Sequence, residues 1–105
     1  MSENLIFEVS TPLHFIVRVS KDYWDMIVGQ KHPVMRNRET DVQEALRNPD
    51  EIRRSRSDKN VYLFYKKEKG KRWICAIAKR LNGEGFLITT YPTDAIKEGE
   101  IIWTK

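Results

Sequence analysis

His32 is the side chain from which a chemical reading of this chain starts, because an imidazole with an ordinary pKa near 6.5 takes up and releases protons at neutral pH. It stands in the run Lys31-His32-Pro33, and the only other histidine, His14, is far from it in sequence. Elsewhere the chain supplies cations (Arg36, Arg38, Arg54, Lys79) and hydroxyls (Ser55, Thr89, Tyr91) but no obvious second proton carrier. These residue types suit metal-free phosphate chemistry. Cleaving RNA at its own 2′-hydroxyl needs a base for that proton, an acid for the leaving 5′-oxygen, and cations to stabilise the charge on the phosphorane. His32 can serve as acid or base, and Lys79, Arg54 and Arg36 or Arg38 as cations. Thr89, Ser55 and Tyr91 can hydrogen-bond to phosphate oxygens or stack a base.

Other chemistries lack their residues. There is no HExxH pattern, and Cys75 is the only cysteine, so neither a disulfide nor a cysteine-rich zinc site is expected. Asp22 with Asp25 and Asp50 with Glu51 read as helix-start and turn residues rather than as a magnesium site. Gly29, Gly70, Gly83, Gly85 and Gly99 never fall into GxGxxG or GxxxxGK spacing, and there is no nucleophile elbow. The expectation is no metal and no cofactor.

A length of 105 residues, 40% hydrophobic and 32% charged, fits one globular domain over 1–105. No apolar run reaches the roughly 18 residues of a membrane span, and the opening Met1-Ser2-Glu3-Asn4 lacks the features of a signal peptide, so a cytoplasmic protein is expected. The formal charge of +4 is unevenly spread. Arg53 to Arg80 holds eleven basic and two acidic residues, a segment charge of +9, and the remainder is −5. Clustered Lys and Arg attract phosphates whatever their sequence, so nucleic acid is the first candidate partner. Lys66 to Arg72 alone also reads as a solvated hairpin tip.

Leu5–Val9 and Phe15–Val19 read as a strand or a pair of strands. From Lys21, the spacing of Tyr23, Trp24, Ile27 and Val28 predicts a short amphipathic helix capped by Ser20 and ended at Gly29. Thr40 and Gln43 suggest a capping box for a second helix whose buried stripe is Val42, Ala45 and Leu46, stopped by Asn48-Pro49. The period then changes to that of strands: Ile52–Arg56, Val61–Lys66, Arg72–Lys79, Gly85–Tyr91 and Glu100–Trp103, expected as an antiparallel meander. Trp73 to Ala78 is apolar on both faces, as in a central strand. Strict alternation puts Leu87, Thr89 and Tyr91 on one face, opposite Phe86, Ile88 and Thr90, and puts Lys79 with Trp73, Cys75 and Ile77. The expected fold is α+β, with N-terminal helices packed on one face of a four- to five-stranded antiparallel sheet.

The order of these pieces resembles a known superfamily. Trp24 with Ile27, Lys31-His32-Pro33, a helix closing at Leu46-Arg47-Asn48-Pro49-Asp50, Ile52 with Ser55, paired strands, Lys79, and Ile88-Thr89-Thr90-Tyr91-Pro92 are similar to the phage-type and mobile-element barnase-like domains. These belong with barnase, EndoU-type nucleases, colicin-D-type tRNases and RelE-type toxins. The resemblance spans about Phe15 to Trp103 and implies a metal-independent ribonuclease active on its sheet face, of a kind often found as toxins restrained by an antitoxin or immunity protein. By that resemblance His32, Lys79, Thr89 and Tyr91 are the catalytic residues, with Ser55 beside them. Where the pattern often has a second histidine this chain has Met26, so Tyr91 or a carboxylate would take that role. Arg36, Arg38, Arg54, Ser55 and Tyr65 are the expected nucleic-acid-binding residues. The alternative is a non-catalytic nucleic-acid-binding or protein-interaction module of the same fold.

Overall fold

The structure is a computed structural model that describes residues 4–96 and 99–105; Met1–Glu3, read above for a leader, lie outside them. Chain order runs β1 (Leu5–Ser10), β2 (Ile16–Ser20), α1 (Lys21–Met26), a π-helical turn (Ile27–Lys31), a 3₁₀ turn (Pro33–Met35), α2 (Glu39–Arg47), β3 (Glu51–Arg54), β4 (Val61–Lys67), β5 (Trp73–Leu81), β6 (Glu84–Thr93) and β7 (Glu100–Thr104). The seven strands form one mixed sheet in the order β1-β2-β6-β5-β4-β3-β7. This corrects the expected four- to five-stranded antiparallel sheet behind N-terminal helices. Two strands precede the helices, β2 lies parallel to β6, and β7 pairs with β3 rather than continuing the meander beside β6.

Local signals nonetheless explain most elements. The Ser20 side chain accepts from the Tyr23 backbone N–H at 3.2 Å and starts α1. Gly29 does not end the helix. The backbone widens into a π turn closed by the His32 N–H on the Ile27 carbonyl, 2.8 Å, and Pro33 then opens the 3₁₀ turn. The Thr40 capping box is also corrected, since α2 begins at Glu39 and Arg38 occupies the cap position with no side-chain cap bond.

One face of the sheet holds the main core. Alternate residues Tyr62 and Phe64 of β4 and Ile74, Ala76 and Ala78 of β5 face α2, which covers them with Val42, Ala45 and Leu46. Small side chains at Ala76 and Ala78 leave room for that approach. The opposite face is also covered in part. The pairings make β6 and β7 run in the same direction, and Ile96, after the end of β6, packs on Leu63, Tyr65 and Cys75. This accounts for a β5 that is apolar on both faces.

The β2–β6 pairing is short, Ile16–Arg18 against Glu84–Phe86, and it turns on Gly85. A Cβ there would stand 2.7 Å from the Phe15 ring and 2.9 Å from the Ile16 carbonyl oxygen. The backbone contact cannot yield without parting the strands, so Gly85→Ala should destabilise the fold by about 1–3 kcal/mol in urea denaturation, the cost of overpacking. An unchanged midpoint would show that β2 and β6 are not locked at this point.

Candidate functional site

β6 does not keep a strict alternation. Its register against β5 slips between Ile77 and Ala78, so Thr89 lies opposite Ile77 while Leu87 lies opposite Ala78, and Ile88 is the extra residue. The bulge overturns the expected face assignment. Leu87 and Thr90 belong to the core side, and Phe86, Thr89 and Tyr91 share the face of Lys79, Ile77, Cys75 and Trp73.

Among the described residues β6 has no strand partner on its outer edge past Phe86, and the π and 3₁₀ turns lie against it. The Tyr23 hydroxyl, whose pKa burial raises, donates to the Ile88 carbonyl at 2.7 Å and satisfies a group that β2 leaves unpaired. These turns bring His32 to Tyr91, with ring centroids 5.3 Å apart and planes tilted by 42°. His32 is half-buried, between the two turns. Thr89 is two residues from Tyr91 on the same face. Its hydroxyl oxygen is buried and has no hydrogen-bond partner among the described residues.

Lys79 shares this face but is engaged elsewhere. Its ammonium lies 3.1 Å from the Asp58 carboxylate, and Asp58 is held below the ordinary carboxylate range, first by the Asn60 backbone N–H and then by Lys79. Tyr65 lies across β4 and β5 from Tyr91, with Cys75 between them. Burial, reinforced by Cys75, pushes the Tyr65 hydroxyl pKa up, so it stays protonated at neutral pH.

The remaining candidates do not join this group. Arg54 pairs with Tyr62 on the core face, its guanidinium 5.7 Å from that ring and its Nε without a partner among the described residues. The Ser55 hydroxyl closes the β3–β4 turn, accepting from the Ser57 N–H at 3.2 Å. Arg38 ties α2 to the β4–β5 hairpin, pairing with Asp41 at 2.8 Å and with Glu68. Arg36, exposed after the 3₁₀ turn, donates to the Val28 carbonyl at 3.4 Å. The structure therefore unites His32, Tyr91 and Thr89, places Tyr65 and Lys79 on the same face, and leaves Arg54, Ser55, Arg36 and Arg38 in structural contacts. Sequence reasoning missed Tyr23 as the residue that closes the β6 edge and Trp73 as part of the same face as Tyr91. Trp73 was detectable, since it alternates with Cys75 beside a cation-rich turn.

Among the described residues no three of His, Cys, Asp and Glu gather as metal ligands, and no helix is long and apolar enough to cross a membrane. Compared with known proteins, the chain matches no family model, and no curated protein or solved structure is significantly similar to it.

A buried hydroxyl left unpaired costs about 1–3 kcal/mol relative to a satisfied one, whereas an apolar group of the same shape carries no such cost. Thr89→Val, also favourable in a strand, should thus be at least as stable as the parent in thermal denaturation. A loss of more than about 1 kcal/mol would reveal a partner for that hydroxyl.

Proposed function

We propose that the chain is a metal-independent endoribonuclease that cleaves RNA through attack by the 2′-hydroxyl on the adjacent phosphorus, with its centre where His32 meets β6. The contact of His32 with Tyr91 carries this reading: two groups able to exchange protons stand side by side at a sheet edge, on a chain with no second histidine nearby. His32 would take the 2′-hydroxyl proton while the Tyr91 phenol protonates the departing 5′-oxygen, leaving a 2′,3′-cyclic phosphate and a 5′-hydroxyl. Tyr91 thereby fills the place left by Met26. Thr89, on the same face as Tyr91, offers an unspent hydroxyl, but its buried oxygen reaches a phosphate only if the edge opens.

Lys79 is the cation of this reading; it stands about 13 Å along β5 from the level of Tyr91, so it would hold a neighbouring phosphate of the strand rather than the scissile one. Its ion pair with Asp58 is about one-third exposed at each partner, and such surface pairs are worth only about 0–1 kcal/mol, so an RNA phosphate can compete with Asp58 for it. The same ion pair favours a second reading, an RNA-binding module that does not cut, because the ammonium is neutralised as long as Asp58 keeps it. Formation of products separates the two.

His32→Ala and Tyr91→Phe should each lower the cleavage rate of a single-stranded RNA by about 100- to 10,000-fold, the usual worth of a proton-transfer group, with the thermal midpoint preserved in at least one of them. Cleavage at the parent rate in both variants would refute this centre.

A further inference from the structure

The β4–β5 hairpin beyond Tyr91 is charged in a way its own contacts do not balance. Lys67 pairs with Trp73 across the ladder, the Glu68 N–H donates to the Arg72 carbonyl at 2.8 Å, and Gly70 turns the tip with φ +74°, a conformation that favours glycine. Glu68, the one carboxylate of the tip, is taken by Arg38. Among the described residues, none of Lys66, Lys67, Lys69, Lys71 and Arg72 makes an ion pair. The groove of about 540 Å³ between the hairpin and α2 is on the other face of the sheet from Trp73, and Asp41, Glu44 and Glu68 line it together with the cations.

Trp73 separates this cluster from a plain solubilising tip. It lies on the face of Cys75 and Tyr91, one two-residue step of β5, about 6.8 Å, from the level of the His32–Tyr91 contact. Its ring is partly buried against the Leu63–Tyr65–Cys75 cluster, which fixes its orientation, and Lys67 Nζ stands 5.9 Å from its centroid. An anchored aromatic surface with one cation, Lys67, over it and a cation-rich turn next to it is the combination that holds single-stranded nucleic acid: bases stack on the ring and phosphates follow the charges.

We propose that Trp73, with Lys67 and the cations of the tip, forms a nucleotide-binding subsite that receives the RNA strand as it leaves the His32–Tyr91 centre. The subsite rests on the reading of that centre as an RNA site. It gives the substrate a direction, from the β6 edge toward the β4–β5 hairpin, and a minimum length of at least one nucleotide beyond the scissile phosphate.

Binding of a single-stranded oligodeoxynucleotide, which has no 2′-hydroxyl and cannot be cleaved by this route, tests the subsite separately from the chemistry. Trp73→Ala should weaken binding by about 5- to 100-fold, the worth of one stacked base, while Trp73→Phe keeps most of it. The exposed triple variant Lys69→Gln, Lys71→Gln, Arg72→Gln, which leaves the packed residues alone, should lower the slope of log Kd against log salt by about 2, at about 0.7 per cation. The same variants should raise KM for RNA cleavage with little change in kcat. Parent-like affinity in Trp73→Ala and a parent-like slope in the triple variant would overturn the subsite even if His32→Ala abolishes cleavage. Binding that depends on Trp73 without any RNA cleavage would support the subsite and sink the nuclease reading. Competition by polyglutamate at the same concentration as the oligonucleotide would make the hairpin a general acidic-polymer surface and overturn the nucleotide assignment.

Discussion

The short parallel contact between β2 and β6 governs where everything else can sit. Phe15 and the Ile16 carbonyl press on Gly85 so closely that the two strands are locked there, yet the pairing stops at Phe86. The bulge at Ile88 bends β6 and shifts its side chains by one position, and Tyr23 occupies the freed carbonyl. The edge thus opened takes the turns from Ile27 to Met35. Had β2 paired along the whole of β6, those turns would have no place beside Tyr91, and the bulge is what turns Thr89 and Tyr91 together to the face of Lys79.

The sheet divides its work by face. One side is a continuous core beneath α2. The other carries Leu63, Tyr65 and Cys75 at its centre, with His32–Tyr91 at one border and Lys79–Asp58 further along. Two of the eleven basic residues of the segment 53–80 are held in ion pairs, Arg53 with Glu51 and Lys79 with Asp58. Among the described residues Arg54, Arg56, Lys59, Arg80 and the cations of the hairpin make no ion pair. The charge asymmetry of the sequence therefore persists in side chains without acid partners, and the hairpin is the part of it next to the residues read as proton carriers.

Local patterns were legible in the residues and long-range ones were not. Ser20 as a cap, the buried stripe of α2, the five later strands, and Lys79 on the face of Trp73, Cys75 and Ile77 all follow from spacing. The parallel β2–β6 pair and the return of β7 to β3 depend on contacts between segments distant in the chain, and no local period encodes them. Thr89 illustrates the limit within one strand: alternation placed it with Leu87, and a single extra residue at Ile88 placed it with Phe86. At the site, His32 and Tyr91 stood out as residue types. Their contact depended on a π turn that Gly29 does not announce, and Lys79's partner Asp58 lies in a turn that sequence reading treated only as a connection.

The central claim is that this chain cuts RNA with its own side chains and the RNA's own hydroxyl. Its most direct test is the chemistry of the ends formed when a defined single-stranded RNA is incubated with the protein in EDTA and the fragments are weighed by mass spectrometry. The account predicts fragments ending in a 2′,3′-cyclic phosphate, each followed by one beginning with a 5′-hydroxyl. Intact RNA, or fragments carrying 3′-hydroxyl and 5′-phosphate ends, would contradict it.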